Sequence, residues 1–146
     1  MAQAALVLDT NVVLNWLFFQ HPPTLAVIHS LLPTYQWVSS PWMQREAQRV
    51  AHSAHLAKYA SPAAFERLSA GFAQHACMVD AAHCEPAMPA PPLLKCRDPD
   101  DQAFLDLARH TQAPLLLSLD RDLLKLRKRA GQLGLQIVAP DAWRGV

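Results

Sequence analysis

The sequence is short of the features that mark secreted or membrane-bound chains. It has three cysteines, an odd number at no paired spacing, which fits a reducing compartment better than a disulfide framework. No cationic segment followed by an apolar stretch opens the chain. No apolar run reaches the length that spans a bilayer. The expectation is a cytoplasmic protein without a membrane segment. Net charge is also nearly absent: it is +1, so no global field argues for or against nucleic acid. Internal repeats and low-complexity segments are missing too.

What is present is a chain of 146 residues, 51% of them hydrophobic. That is enough for one globular domain with a real core, taken here as 1–146. Ala4 to Leu8 is aliphatic without polar alternation, as a central parallel strand covered on both faces would be. Pro114 to Leu119 is a second such run. Short strands are also expected at Gln36–Ser39, Cys77–Val79 and Leu135–Val138. Helical periodicity falls between them, at Val12–Phe19, Thr24–Leu32, Pro41 to about His55, Pro62 to about Ala76, Pro99–His110 and Asp122–Arg129. Ser39 or Ser40 before Pro41, Ser61 before Pro62, and Asp98 before Pro99 are helix starts with proline at the first helical position. Gly131 and Gly134 are expected to break the last helix. Ala81 to Leu94 is rich in proline and has no period, and reads as an ordered surface connection. The order β-α-α-β-α-α-β-α-β-α-β predicts a three-layer α/β/α sandwich around a central parallel sheet.

The twelve acidic residues are unevenly spread. Asp98, Asp100, Asp101, Asp106, Asp120 and Asp122 fall in one short stretch. The two clearest strands each run into an aspartate, Asp9 and Asp120. A parallel sheet places both strand ends on one edge, where open α/β sheets bind ligands. Asp101, in the first turn of the helix feeding the second strand, starts on that edge too. Carboxylates gathered this way repel unless a cation neutralises them. Oxygen-only ligands suit Mg²⁺ or Mn²⁺ rather than zinc. Such a site binds phosphate esters and activates water for in-line attack. Asp9 by itself reads as metal ligand, catalytic group or helix cap. Asp98, Asp100 and Asp122 read equally as caps or first-turn acids that complement the helix dipole.

Four stretches together carry a resemblance: Asp9-Thr10-Asn11 after the first strand, Glu46 on the helix after VSSP, RDPDDQAFLDLA, and LLLSLDRDLLKL. They resemble the acidic motifs of the PIN-domain ribonucleases, and most of all the subgroup that forms the toxin half of toxin–antitoxin pairs. The similarity runs from Leu6 to about Pro140. It implies a metal-dependent endoribonuclease using Mg²⁺ or Mn²⁺, with Asp9, Glu46, Asp101 and Asp120 as the catalytic, metal-binding acids. By the same resemblance Thr10 and Asn11 orient Asp9, Ser118 stands where the family often has threonine, and Asp122 is an accessory acid, as is Asp98. The implied partners are an RNA substrate, a small antitoxin protein and a second copy of the chain in a homodimer.

Other groups stay open on the sequence. Arg121, Lys125, Arg127 and Lys128, with Arg129 beside them, are candidates for holding RNA phosphates; they fit equally a solvated helix end. Trp16, Phe18 and Phe19 suit a partner surface or the core. His75, Cys77, His83 and Cys84 can bind zinc as residue types, but their spacing matches no closed zinc pattern. A haloacid-dehalogenase-like phosphatase would need a second aspartate two residues after Asp9, where Asn11 stands. A non-catalytic RNA- or protein-binding domain of the same fold is the remaining alternative.

Overall fold

The computed structural model describes residues 3–79 and 94–144. The proline-rich connection, with His83 and Cys84, lies outside them apart from Leu94. Strand β1 (Ala4–Leu8) leads into α1 (Thr10–Val13), a π-helical segment (Leu14–Phe18) and α2 (Pro22–Leu31). Then come β2 (Tyr35–Ser39), α3 (Pro41–Ala51), a 3₁₀ segment (Ala54–Tyr59), α4 (Pro62–His75) and β3 (Cys77–Met78). The remainder is α5 (Pro99–Thr111), β4 (Leu115–Leu117), α6 (Arg121–Leu124), α7 (Arg127–Gln132), β5 (Gln136–Val138) and a final 3₁₀ turn (Pro140–Ala142).

The five strands form one sheet in the order β3-β2-β1-β4-β5, and every pairing is parallel. The chain builds outward from β1 to β3, then returns through α5 to start β4 on the other side. The crevice between β1 and β4 is therefore the topological switch point.

Side chains alternate across the sheet and divide the core in two. Leu6, Leu8, Trp37, Leu115 and Leu117 face Val12, Trp16, Phe18, Ile28, Leu31, Leu68 and Phe72 of the helices on one side. Val7, Val38, Leu116 and Ile137 face Ala103, Phe104, Leu107, Leu123 and Ala130 on the other. Both faces are covered, which is why the strands read as unbroken apolar runs. The result is the expected α/β/α sandwich. Trp16 and Phe18 belong to the core; Trp16 meets Trp37 edge-on at 5.2 Å. No helix among the described residues is long and apolar enough to cross a membrane.

Three helix starts follow the sequence signals. Ser40 accepts a hydrogen bond from Met43 N, Ser61 from Ala64 N and Asp98 from Asp100 N. Other boundaries move. The first helix begins at Thr10 rather than Val12, because the Asp9 side chain caps it. Helix α2 begins at Pro22 rather than Thr24, with both prolines in its first turn. Helix α3 stops at Ala51 rather than near His55, where His52 Nδ1 bonds back to the Gln48 carbonyl at 2.7 Å. The 3₁₀ segment that follows has no fully buried side chain; Leu56 packs against the core only in part. Gly131 lies inside α7 instead of breaking it, and Gly134, at φ +86°, ends the turn.

The glycines of α4 and α7 make a matched pair of tests. A Cβ at Gly71 would run into the Leu17 side chain, including its branch carbon, whereas at Gly131 nothing stands within 4 Å. Gly71→Ala should therefore destabilise the protein by about 1–3 kcal/mol through overpacking. Gly131→Ala should stabilise it by about 0.5–1 kcal/mol through the lost backbone freedom of glycine. Urea unfolding of both variants would give midpoints shifted in opposite directions. A Gly71→Ala midpoint at or above wild type would contradict this packing.

Candidate metal centre

Asp9 is the first residue past β1 and is 3% exposed. Its Oδ1 accepts from Val12 N at 3.0 Å, capping α1. Its Oδ2 accepts from Leu119 N at 3.1 Å and from the Ser118 hydroxyl. Burial raises the Asp9 pKa; the hydrogen bonds from Ser118, Val12 and Leu119 offset part of that, and the Asp120 charge adds to the rise. Ser118, fully buried, also accepts from Asp120 N at 2.9 Å. One hydroxyl thus joins the ends of β1 and β4. Asp120 in turn caps α6, its Oδ1 accepting from Asp122 N at 2.8 Å and Leu123 N at 3.3 Å. The capping amides of α6 use only Oδ1 of Asp120, whereas both oxygens of Asp9 accept hydrogen bonds.

Asp101 enters from the first turn of α5. Its pKa is pushed up to about 7, first by burial and then by the charges of Asp120, Asp98 and Asp9, with a side-chain hydrogen bond to Asp120 acting the same way. A hydrogen bond between two carboxyl groups needs a proton on one of them, and the raised pKa favours Asp101 as its carrier. Its Oδ2 is buried and has no hydrogen-bond partner, an arrangement that costs stability unless something satisfies it. An unpaired carboxylate oxygen beside two further carboxylates is a donor set for a hard divalent cation, so the residues fit such an ion. Among the described residues, however, no group of three acids, imidazoles or thiols stands placed to hold a metal ion. The three aspartates adjoin one another without closing around a point.

The other expected residues are placed differently. The Thr10 and Asn11 side chains, expected to orient Asp9, make none of its hydrogen bonds; those come from Val12, Ser118 and Leu119. Glu46 is engaged by Arg49 in a two-pronged ion pair, at 2.6 and 3.0 Å. Asp98 is the cap of α5, and its charge still acts on Asp101. Asp122 lies in the first turn of α6, 4.0 Å from Lys125 Nζ. Arg121, Lys125, Arg127 and Lys128 are exposed; Arg127 bonds the Leu124 carbonyl. Arg127 and Lys128 line a shallow groove along β5 with Gln136 and Val138. His75 packs against Trp16 at 5.3 Å, and Cys77 is exposed.

One group escaped the sequence reading. Gln102 Nε2 donates to the Leu94 carbonyl at 2.7 Å and to Asp106 Oδ1 at 3.0 Å, while its Oε1 accepts from Cys96 N. It ties the segment entering α5 to the helix and satisfies Asp106, which is 8% exposed. The Gln–Asp pair at i, i+4 was the available signal.

An α/β/α domain whose acids collect at the switch point of a parallel sheet belongs to the class of α/β proteins that bind ligands at their strand ends. Within that class the family is defined: the PIN-domain family model matches residues 5–122, and the chain belongs to the PIN-domain family. The matched span includes Asp9, Glu46, Asp101 and Asp120. PIN domains are generally nucleases and typically bind divalent metals. No curated protein matches the chain.

The raised acids set the pH response of the metal-free protein. A carboxyl whose pKa is higher in the folded state binds more protons folded than unfolded, so its contribution is present at low pH and lost as pH rises through the folded pKa. For Asp101 that window runs from its ordinary 3.8 to about 7, and Asp9 and Asp106 act in the same direction. In EDTA, the contribution of these groups should make the protein melt lower at about pH 8 than at about pH 5.5. Asp101→Asn, which keeps a donor towards Asp120, should narrow that gap and raise the melting temperature at the higher pH. An unchanged gap in the variant would contradict the assignment.

Proposed function

We propose that the chain is a metal-dependent endoribonuclease that hydrolyses RNA phosphodiester bonds with Mg²⁺ or Mn²⁺. The observation that carries this is Asp101 Oδ2, buried and unpartnered, on a carboxyl that Asp120 and Asp9 both act on. Asp9, Asp101 and Asp120 would hold the cation. When bound, it would polarise the scissile phosphate and lower the pKa of the attacking water.

The chain's own residues supply the frame. Ser118 and the amides of Val12 and Leu119 fix both oxygens of Asp9. The amides of Asp122 and Leu123 fix Asp120 through Oδ1. Asp101 rides on α5, whose entry is held by Gln102. Asp122 adds negative charge beside the centre. Arg121, Lys125, Arg127 and Lys128 offer phosphate contacts on the neighbouring helices. No side chain is needed as a covalent nucleophile.

The finer assignment, that this nuclease is the toxin of a toxin–antitoxin pair and works as a homodimer with a small antitoxin protein, rests on the motif resemblance. A small antitoxin-like reading frame beside the gene would support it, and co-purification of the two products would test it.

The test of the activity is cleavage of a long RNA with Mn²⁺ or Mg²⁺ and with EDTA. Wild type should cut only with the metal. Asp9→Asn and Asp101→Asn should abolish cutting while circular dichroism stays native. Ser118→Ala, which removes the hydroxyl that orients Asp9, should lose about 10–100-fold in activity or metal affinity. A fully active Asp9→Asn protein would sink the proposal.

A further inference from the structure

Strand β5 lies at one end of the sheet order, beside β4 alone. Its peptide groups alternate in direction. Gln136 N donates to the Pro114 carbonyl at 2.9 Å, and Ser118 N donates to the Val138 carbonyl at 3.1 Å, so residues 136 and 138 bond inward to β4. The N–H and C=O of Ile137, between them, point away from β4. No strand lies on that side among the described residues. The open stretch is short. Leu135 N is bonded to the Ala130 carbonyl, and the Ala139 carbonyl accepts from Ala142 N.

A groove of about 600 Å³ adjoins this strand, a size typical of binding clefts. Ile137 packs into one layer of the core and Val138 against the other, yet both line the groove. It therefore follows the edge of the sheet and not one face. Helix α7 supplies its wall through Arg127, Lys128 and Gly131. A Cβ on Gly131 would meet nothing within 4 Å. Glycine inside a helix costs stability, and packing does not demand it here; the missing side chain leaves the groove open. Arg127 and Lys128 are exposed. Neither α7, RKRAGQ, nor the groove lining carries an acid.

We propose that this edge accepts an added strand: a short, extended, acidic segment of a partner protein, which pairs its backbone with Ile137 and sets its carboxylates against Arg127 and Lys128. Two backbone hydrogen bonds hold little by themselves, so the cations of the wall supply the choice of partner. The same cations turn away a second copy of this edge. A nucleic-acid strand would use the cations and leave the Ile137 peptide group unmet. The inference stands apart from the nuclease reading.

The probe is a capped heptapeptide of alternating glutamate and valine. Its binding is read by fluorescence anisotropy and by amide exchange in the isotope-labelled protein. In the free protein the Ile137 amide should exchange faster than that of Gln136. With the peptide about nine-tenths bound, it should exchange about tenfold more slowly. The same peptide N-methylated throughout, which keeps its charge and loses its donors, should bind at least about tenfold more weakly. Arg127→Ala combined with Lys128→Ala should weaken binding by about tenfold, the loss of two exposed ion pairs. Gly131→Met, native by circular dichroism, should weaken it by filling the groove without a change of charge. Three results would each overturn the inference: no binding of the glutamate peptide, equal binding of its N-methylated form, or an Ile137 amide left unprotected. An oligouridylate that shifts the resonances of Gly134 and Gln136 where the peptide does not would overturn it in favour of a nucleic-acid track. Each of these leaves the nuclease reading in place.

Discussion

The acidic edge depends on one buried hydroxyl. Ser118 donates to Asp9 and accepts from the Asp120 amide, and so couples the segments that leave two neighbouring parallel strands at the switch point. A carboxylate buried as deeply as Asp9 costs several kcal/mol unless donors meet it. Here three do, two of them from the chain after β4. The position of Asp9 is therefore set by β4 as much as by β1, and a change at either strand end is felt at the other. The apolar faces of the sheet hold the strands in register, but this bond decides where their acids sit.

Much of this was legible in the sequence because its causes are local. The unalternating runs at Ala4–Leu8 and Leu115–Leu117 state that both faces are buried. Serine or aspartate before proline states three helix starts. That Asp9 and Asp120 leave adjacent strands follows once the sheet is parallel. Other features were not legible because they depend on contacts distant in sequence. Nothing in Thr10-Asn11 says that Asp9 will be met by Ser118 and Leu119 instead. The π-helical turn at Leu14–Phe18 answers to α4, where Gly71 lets Leu17 approach and Arg67 Nη2 bonds the Phe18 carbonyl at 2.9 Å. Gly131 stays helical because Ala130 beside it is fully buried, so packing overrides local propensity.

The acids divide into two electrostatic groups, a partition the motifs do not announce. Asp9, Asp101 and Asp120 lie close enough for their charges to act on one another, and burial together with that repulsion raises the pKa of Asp9 and Asp101. Glu46, the fourth acid of the family pattern, is neutralised by Arg49 a turn away. A spacing motif records which residue types recur, not which of them a neighbouring cation has already engaged.

The central claim is that the crevice between β1 and β4 is a divalent-cation site whose capacity is held in check by the proton on Asp101. Calorimetric titration with Mn²⁺ at about pH 6.5, repeated in buffers of different ionisation enthalpy, tests it most directly. Saturable binding with proton release, the release lost in Asp101→Asn, is the result this account predicts. Absence of saturable binding, or binding whose heat does not depend on the buffer, would contradict it.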